Sequence, residues 1–308
     1  MSVVLCVGEA LISLTPATGV PLISAPERSV SEGGAEVNVA VNLARLGVPT
    51  RFAGRVGADP FGTRIRTTLA DAGVDARFLE SDPRRPTGLY VKDARPDGTT
   101  MRYYRQTSAA TAYRRVPDAA LDGVDQVHLS GITPALSDDC EALVGDLLHR
   151  KGRYTVSFDV NHRAALWPPG EAAEPLRVLA QRADTVFVGA DEAATLWGTD
   201  DPDGVRKLLT GPSELVVKDG AGPAVAFADG QRYVVAAPAV EVVEPVGAGD
   251  AFAAGYLAAR RFGRPPLHAL RWGHLLAAAV LRVHSDHAAP PDRRELERLA
   301  DDGSWNRC

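Results

Sequence analysis

A carboxylate stands at the head of a glycine turn in EPVGAGDAFAAGY, residues 244–256, where Gly247, Ala248 and Gly249 run into Asp250 and an alanine-rich stretch follows. Small residues let backbone approach a ligand closely. The first amides of a helix, unpaired and at the positive end of its dipole, suit a phosphate. In that field Asp250 is expected to stay ionised and to take a proton from a hydroxyl held beside it. Phosphoryl transfer needs this combination, because the nucleophile must be aligned and the charge on the transferred group stabilised. Aspartate is a weak base, but in a loose transition state the proton leaves late, so position matters more than basicity. The plainer alternative is that Asp250 is only a helix N-cap, a position Asp favours.

Other phosphate and hydrolase signatures are missing from the sequence: it has no G-x-x-x-x-G-K-[ST] string, no G-x-G-x-x-G after the first strand, no H-E-x-x-H and no G-x-S-x-G. Cys6, Cys140 and Cys308 lack metal-like spacing, and HSDH at 284–287 reads more readily as a solvated or structural pair than as ligands. A net charge of −5 with scattered arginines argues against nucleic acid or an acidic membrane surface, leaving a small molecule as the expected partner. The opening MSVVLCVGEALISL has no basic n-region, and no run reaches the roughly 18 apolar residues of a membrane span. A cytoplasmic protein is expected.

The elements that must position Asp250 follow an α/β rhythm. Short β-branched runs (VVLCVGEA, RFAGRVG, DQVHLSG, YTVSFDV, ADTVFVG, ELVVKDG) alternate with amphipathic segments such as AEVNVAVNLARLG and PFGTRIRTTLADAG. That alternation predicts βαβ units around a mostly parallel sheet with helices on both faces. Residues 11–32 and 87–107 break the rhythm: they alternate around turn signals such as Pro96-Asp97-Gly98, and read as β-ribbons that can pair in space. Such an insertion serves as a lid or as a subunit contact. With 308 residues, one or two domains are expected.

Three separated stretches, GGAEVNVAVNLARLG (33–47), FAGRVGADPFG (52–62) and VGAGDAFAAGYLAA (246–259), resemble the signature regions of the ribokinase-like (PfkB) carbohydrate kinases. TGLYV (87–91), RYYR (102–105), LSGITPALS (129–137), FDVNHRAALW (158–167) and SDHAAP (285–290) are most similar to the branch of that family acting on 2-keto-3-deoxy sugar acids. The resemblance spans nearly the whole chain. It implies a single ribokinase-like domain over residues 1–308, a three-layer α/β/α sandwich with a small β-sheet lid, ATP as donor, magnesium, and compatibility with a monovalent cation. It also implies Asp250 as catalytic base and Gly247, Ala248 and Gly249 as the anion hole. Gly33, Gly34 and Asn38 would meet the sugar. Asn161, His162 and Arg163 would lie near phosphates or sugar, and Lys218, Asp219, Gly220, Ala221, Gly222 and Pro223 around the adenosine.

Along an extended strand Tyr103 and Arg105 share one side while Arg102 and Tyr104 share the other, so one tyrosine and one arginine can face a ligand together. Arginine binds a carboxylate through two parallel hydrogen bonds, which makes Arg105 and Arg163 the residues favouring an acid substrate; surface arginines paired with acidic neighbours are the alternative. Tyr90, Tyr103 and Tyr104 are candidates for further sugar contacts. Glu192 matches the acidic end of the family's Asn-x-x-Glu magnesium motif, but Gly189 replaces the asparagine, so Glu192 would act largely through water. It could instead be a helix N-terminal acid. Glu244, Pro223, His274 and His162 also depart from the family pattern. Taken together, the expected activity is ATP-dependent phosphorylation of the terminal hydroxyl of 2-dehydro-3-deoxy-D-gluconate. The rivals are a fructokinase or ribokinase activity and a non-catalytic sugar-binding protein. A homo-oligomer joined through a ribbon edge is expected.

Overall fold

The computed structural model describes residues 2–16, 20, 22–95, 98–283 and 291–301. Expectations that fall on HSDH, SDHAAP, Pro96, Asp97 and Cys308 lie outside the described residues. The first half of the chain runs β1 (Val3–Val7), β2 (Leu11–Pro16), β3 (Arg28–Gly33), α1 (Ala35–Arg45), β4 (Thr50–Gly57), α2 (Pro60–Asp71), β5 (Asp75–Asp82), β6 (Gly88–Arg95) and β7 (Gly98–Tyr104). Helix α2 shows why its start was legible: Asp59 Oδ1 accepts from the Gly62 amide at 2.8 Å, and proline occupies the first turn. The second half runs β8 (Val124–Ser130), α3 (Asp138–His149), β9 (Thr155–Asp159), α4 (Pro169–Arg182), β10 (Thr185–Gly189), α5 (Ala190–Trp197), α6 (Pro202–Leu208), β11 (Glu214–Lys218), β12 (Ala224–Ala228), β13 (Gln231–Val235), α7 (Ala248–Arg261), α8 (Pro266–Leu281) and α9 (Arg293–Asp301).

Nine strands form one sheet in the order β13-β12-β11-β10-β9-β8-β1-β4-β5. It is parallel except where β12 pairs antiparallel with β11 and β13. Alternation along its strands divides the interior between two cores. Val4 and Cys6 of β1 pack with α1, α7 and α8, while Leu5 and Val7 pack with α3 and α4 on the opposite face. The architecture is therefore helix, sheet, helix. A strand buried on both faces has no polar side, which is why the central runs read as continuous apolar stretches.

A second, four-stranded sheet has the order β3-β2-β6-β7. Its two hairpins come from the segments that broke the α/β rhythm, and they join through the parallel pairing of β2 with β6, Leu11 opposite Gly88. Both cysteines in the described residues, Cys6 and Cys140, are buried and free. Among the described residues no helix is long and apolar enough to cross a membrane.

Candidate active site

In a parallel sheet the carboxyl ends of the strands share one edge, and ligands bind beyond that edge. Here β1 delivers Glu9, β9 ends on Asp159, β10 on Gly189 and β11 on Lys218. With the N-terminal ends of α1 and α7 and the inner face of the small sheet, they enclose a cavity of about 1410 Å³.

The glycine turn sits at the cavity floor. Gly247 takes the left-handed conformation, φ 83°, as the N-cap of α7, and its carbonyl accepts from the Ala251 amide at 2.9 Å. Asp250 is thus the third residue of the helix, not its cap, and its side chain is released for other work. Lys218 reaches the same place. A Cβ on Gly249 would lie in ordinary contact with Lys218 Nζ, at 3.5 Å, which places the ammonium beside the turn.

Two amides hold the Asp250 carboxylate: Asn38 Nδ2 donates to Oδ2 at 2.8 Å, and Asn161 Nδ2 to Oδ1 at 3.3 Å. Asn38 is set by α1, where its backbone amide donates to Gly34 O at 2.8 Å, and Asn161 by a left-handed backbone, φ 40°. The expectation that Asp250 rests as a settled anion is corrected. Burial carries its pKa up to about 7; the Asn38 hydrogen bond opposes the rise, and neighbouring Asp159 adds to it. Desolvation outweighs the helix field because the carboxylate, though still touching the cavity, is walled by protein.

Beside it lies a charged cluster. Lys218 Nζ donates to Asp159 Oδ2 at 2.8 Å, and Arg163 Nη1 stands 4.0 Å from Glu192 Oε1. Burial works to lower the Lys218 pKa, but the carboxylates of Asp159 and Glu192 outweigh it and hold the ammonium above its ordinary value. Glu192 Oε2 accepts from the Gly189 amide at 2.9 Å, closing a capping box on α5. It is therefore a helix N-terminal acid that also lines the cavity, and burial raises its pKa. Among the described residues no group of three potential metal ligands is assembled. Asp159 Oδ1 is nevertheless a buried acceptor without a hydrogen-bond partner. With Glu192 it supplies the few oxygen ligands that suit magnesium, an ion that keeps several waters and binds phosphates.

On the opposite wall, Tyr90 of β6 and Tyr103 of β7 have ring centroids 5.6 Å apart, and the Arg105 guanidinium lies 4.2 Å from the Tyr103 centroid. Arg105 lines the cavity as expected, but it is neither free nor a surface pair. It is buried and donates from Nη1 to Glu9 Oε2 at 2.9 Å, with Ser108 Oγ 3.3 Å from Glu9 Oε1. Its Nε and Nη2 have no hydrogen-bond partner. Gly34, at φ 129°, packs so closely that a Cβ there would overlap the Glu9 carbonyl, which explains the glycine at this step into α1.

Gly34, Asn38, Tyr90, Tyr103, Arg105, Asn161, Arg163, Glu192, Lys218, Asp219, Gly220, Ala221, Gly247, Ala248, Gly249 and Asp250 all line the one cavity. Gly33, Tyr104, His162, Gly222 and Pro223 do not. Tyr104 is 63% exposed on the outer face of the small sheet, and His162 is tied through Nε2 to Trp167 O at 2.8 Å. The sequence reading gave no role to Glu9, Glu36 or Asp159. A carboxylate at or just past the end of a buried apolar strand was the available signal for Asp159 and Glu9. The apolar wall of Ala237, Pro238, Ala239, Val240, Phe252, Ala277 and Leu281 carried no such signal. His274 on that wall donates from Nε2 to Val235 O, 3.1 Å away, and burial lowers its pKa to about 4, leaving a neutral ring.

Comparison with known proteins adds an independent finding. The profile of the pfkB family carbohydrate kinases matches residues 1–293. The chain is 35% identical over 303 residues to a 2-dehydro-3-deoxygluconokinase of Thermoproteus tenax, covering 95% of this chain and 92% of that protein. It is 31% identical over 302 residues to a 2-dehydro-3-deoxygalactonokinase of Haloferax volcanii, with 95% and 94% covered. The crystal structure of an ATP-bound fructokinase from Xylella fastidiosa superposes with a TM-score of 0.83 at 28% identity, covering 96% of this chain and 97% of that one.

Proposed function

The chain belongs to the pfkB family of carbohydrate kinases, and from that premise we propose that it transfers the γ-phosphoryl group of ATP to the terminal C6 hydroxyl of 2-dehydro-3-deoxy-D-gluconate, giving 2-dehydro-3-deoxy-6-phospho-D-gluconate. The observation that carries the acid substrate is Arg105. Its guanidinium is held by Glu9 and Tyr103 at the cavity wall, with Nε and Nη2 buried and without hydrogen-bond partners. Leaving such donors unpaired is costly unless a ligand takes them, and a carboxylate fits that fork. Fructose and ribose offer none.

In this reading Gly34, Asn38 and Tyr90 seat the sugar, and its terminal hydroxyl lies between Asp250 and the Gly247–Gly249 turn. The hydroxyl oxygen attacks the γ-phosphorus, the bond to the β-phosphate oxygen breaks, and the hydroxyl proton passes to Asp250. Lys218 and Arg163 face the phosphates and offset their charge. The apolar wall from Ala237 to Val240, with Ala277 and Leu281, receives the adenine ring. Magnesium, resting on Glu192 and Asp159 largely through water, would neutralise phosphate charge when bound. The small sheet acts as a lid that excludes water from the transfer.

A base must be deprotonated to work, so the raised Asp250 pKa has a direct consequence for activity. In the free enzyme kcat/KM is expected to rise about tenfold per pH unit below the Asp250 pKa of about 7 and to level off above it. A profile already flat at pH 5 would contradict the role of Asp250. The reaction itself is checked on its product: with ATP and magnesium, the sugar acid should give ADP and a monoester whose phosphorus couples to the C6 protons in NMR. Phosphate on another carbon would overturn the placement of the hydroxyl at Asp250.

A further inference from the structure

Lys92 lies in the middle of β6, two residues after Tyr90 and so on the same face of the small sheet, turned toward the body of the molecule. It is among the largest fully buried side chains, at 2% exposure. Its Nζ meets Glu244 Oε2 at 3.3 Å, and that carboxylate is 7% exposed at the residue level. Glu244 opens the loop that becomes the glycine turn. Its backbone amide donates to Leu281 O at the end of α8, and its Oε1 takes the Val246 amide at 3.4 Å, one residue before Gly247. A buried charge pair thus joins the strand carrying a cavity tyrosine to the segment presenting the anion hole, across 152 residues of sequence.

A buried ion pair is seldom kept for stability, because desolvating two charges consumes most of what their attraction returns; its best use is to fix one arrangement over others. We propose that Lys92 and Glu244 are positioning residues for phosphoryl transfer, holding the Gly247–Gly249 turn in register with the acceptor seated under β6. Neither touches the reacting atoms. Lys92 fixes the Glu244 carboxylate, Glu244 fixes the Val246 amide, and the turn follows. Because Tyr90 and Lys92 share one face, an approach of β6 that closes on the acceptor also sets the phosphate side.

The inference rests on the phosphotransfer reading above, and its test separates the two. Steady-state kinetics on Lys92→Met, Glu244→Gln and the double variant should show kcat lowered about tenfold or more, with KM for ATP and acceptor within about threefold of wild type, since misplaced turn geometry costs rate more than ground-state binding. The double variant should be no slower than the slower single, because both remove one device. Lys92→Arg, which keeps the charge, should regain most of the loss. Sugar-independent ATP hydrolysis, which uses the same turn with water as acceptor, should fall in parallel whichever sugar the enzyme prefers. If Lys92→Met does not fold, Glu244→Gln carries the test, for it removes the charge and keeps an acceptor of the same size. Folded variants with unchanged kcat, or losses that multiply in the double variant, would overturn the positioning role. A wild-type protein that neither phosphorylates a sugar nor hydrolyses ATP would instead sink the phosphotransfer reading.

Discussion

Asp250→Asn is expected to reduce kcat by roughly a thousandfold, the middle of the range for removing a positioned general base. The substitution keeps the shape of the side chain and an oxygen that can accept from Asn38 Nδ2, now 2.8 Å from Oδ2. Sugar and ATP affinity should therefore stay within a few-fold, so the loss falls on the chemical step. Stability should move the other way. The Asp250 carboxyl has a folded pKa of about 7 against an ordinary 3.8, so the unfolded chain sheds its proton first and this site contributes less stability as pH rises through that window. Asparagine removes the term, and Asp250→Asn should melt no lower than wild type at pH 8. A variant that turns over normally would show that another group takes the proton.

Arg105→Ala should raise KM for the sugar acid by roughly 10–100-fold, the worth of a hydrogen-bonded charge pair, and should change the kinetics of any neutral sugar far less. The variant has a second effect that must be separated from the first. Glu9 is 2% exposed and bonded to Arg105 at 2.9 Å, so deleting the guanidinium leaves a buried carboxylate without its cation. Pairing the change with Glu9→Gln relieves that cost and leaves the substrate carboxylate as the difference read. Arg105→Lys keeps the charge but loses the fork, and should fall between wild type and Arg105→Ala. Equal losses for acid and neutral sugars, in the background with Glu9→Gln, would remove the carboxylate role from Arg105.

Periodicity carried most of the architecture. The two-residue period of β1 assigns Val4 and Cys6 to one core and Leu5 and Val7 to the other, and a reader of the sequence can see that both sides are apolar. The same period puts Tyr103 and Arg105 on one side and Arg102 and Tyr104 on the other, but it left Tyr104 a candidate contact; the structure turns it outward. Strands β5, β12 and β13 escaped notice for physical reasons. β5 is an edge strand whose exposed positions in DARFLESD are polar, and the β12–β13 hairpin closes the other edge with short segments.

The site was legible where function depends on local backbone and illegible where it depends on partners brought from afar. GAGD marks a glycine turn at a helix start, a backbone suited to an anion, because both features are local. That the Asp250 pKa would rise depends on the walls closing round it and on Asp159, which outweigh the opposing hydrogen bond from Asn38, and all of these come from other elements. The Glu9 that holds Arg105 lies 96 residues earlier in the chain. Lys92 gave a partial signal: a lysine in phase with Tyr90 on a strand must turn a charge inward, and such a charge requires a partner, though nothing local names Glu244.

The central claim is that a sugar acid, not a neutral sugar, is the acceptor. Its most direct test is competition: purified protein, ATP and magnesium with equal concentrations of 2-dehydro-3-deoxy-D-gluconate and fructose, both products followed in one reaction. The ratio of products gives the ratio of kcat/KM. A carboxylate that satisfies a buried arginine should favour the acid by about a hundredfold or more, whereas a ratio near one, or a preference for fructose, would contradict the account.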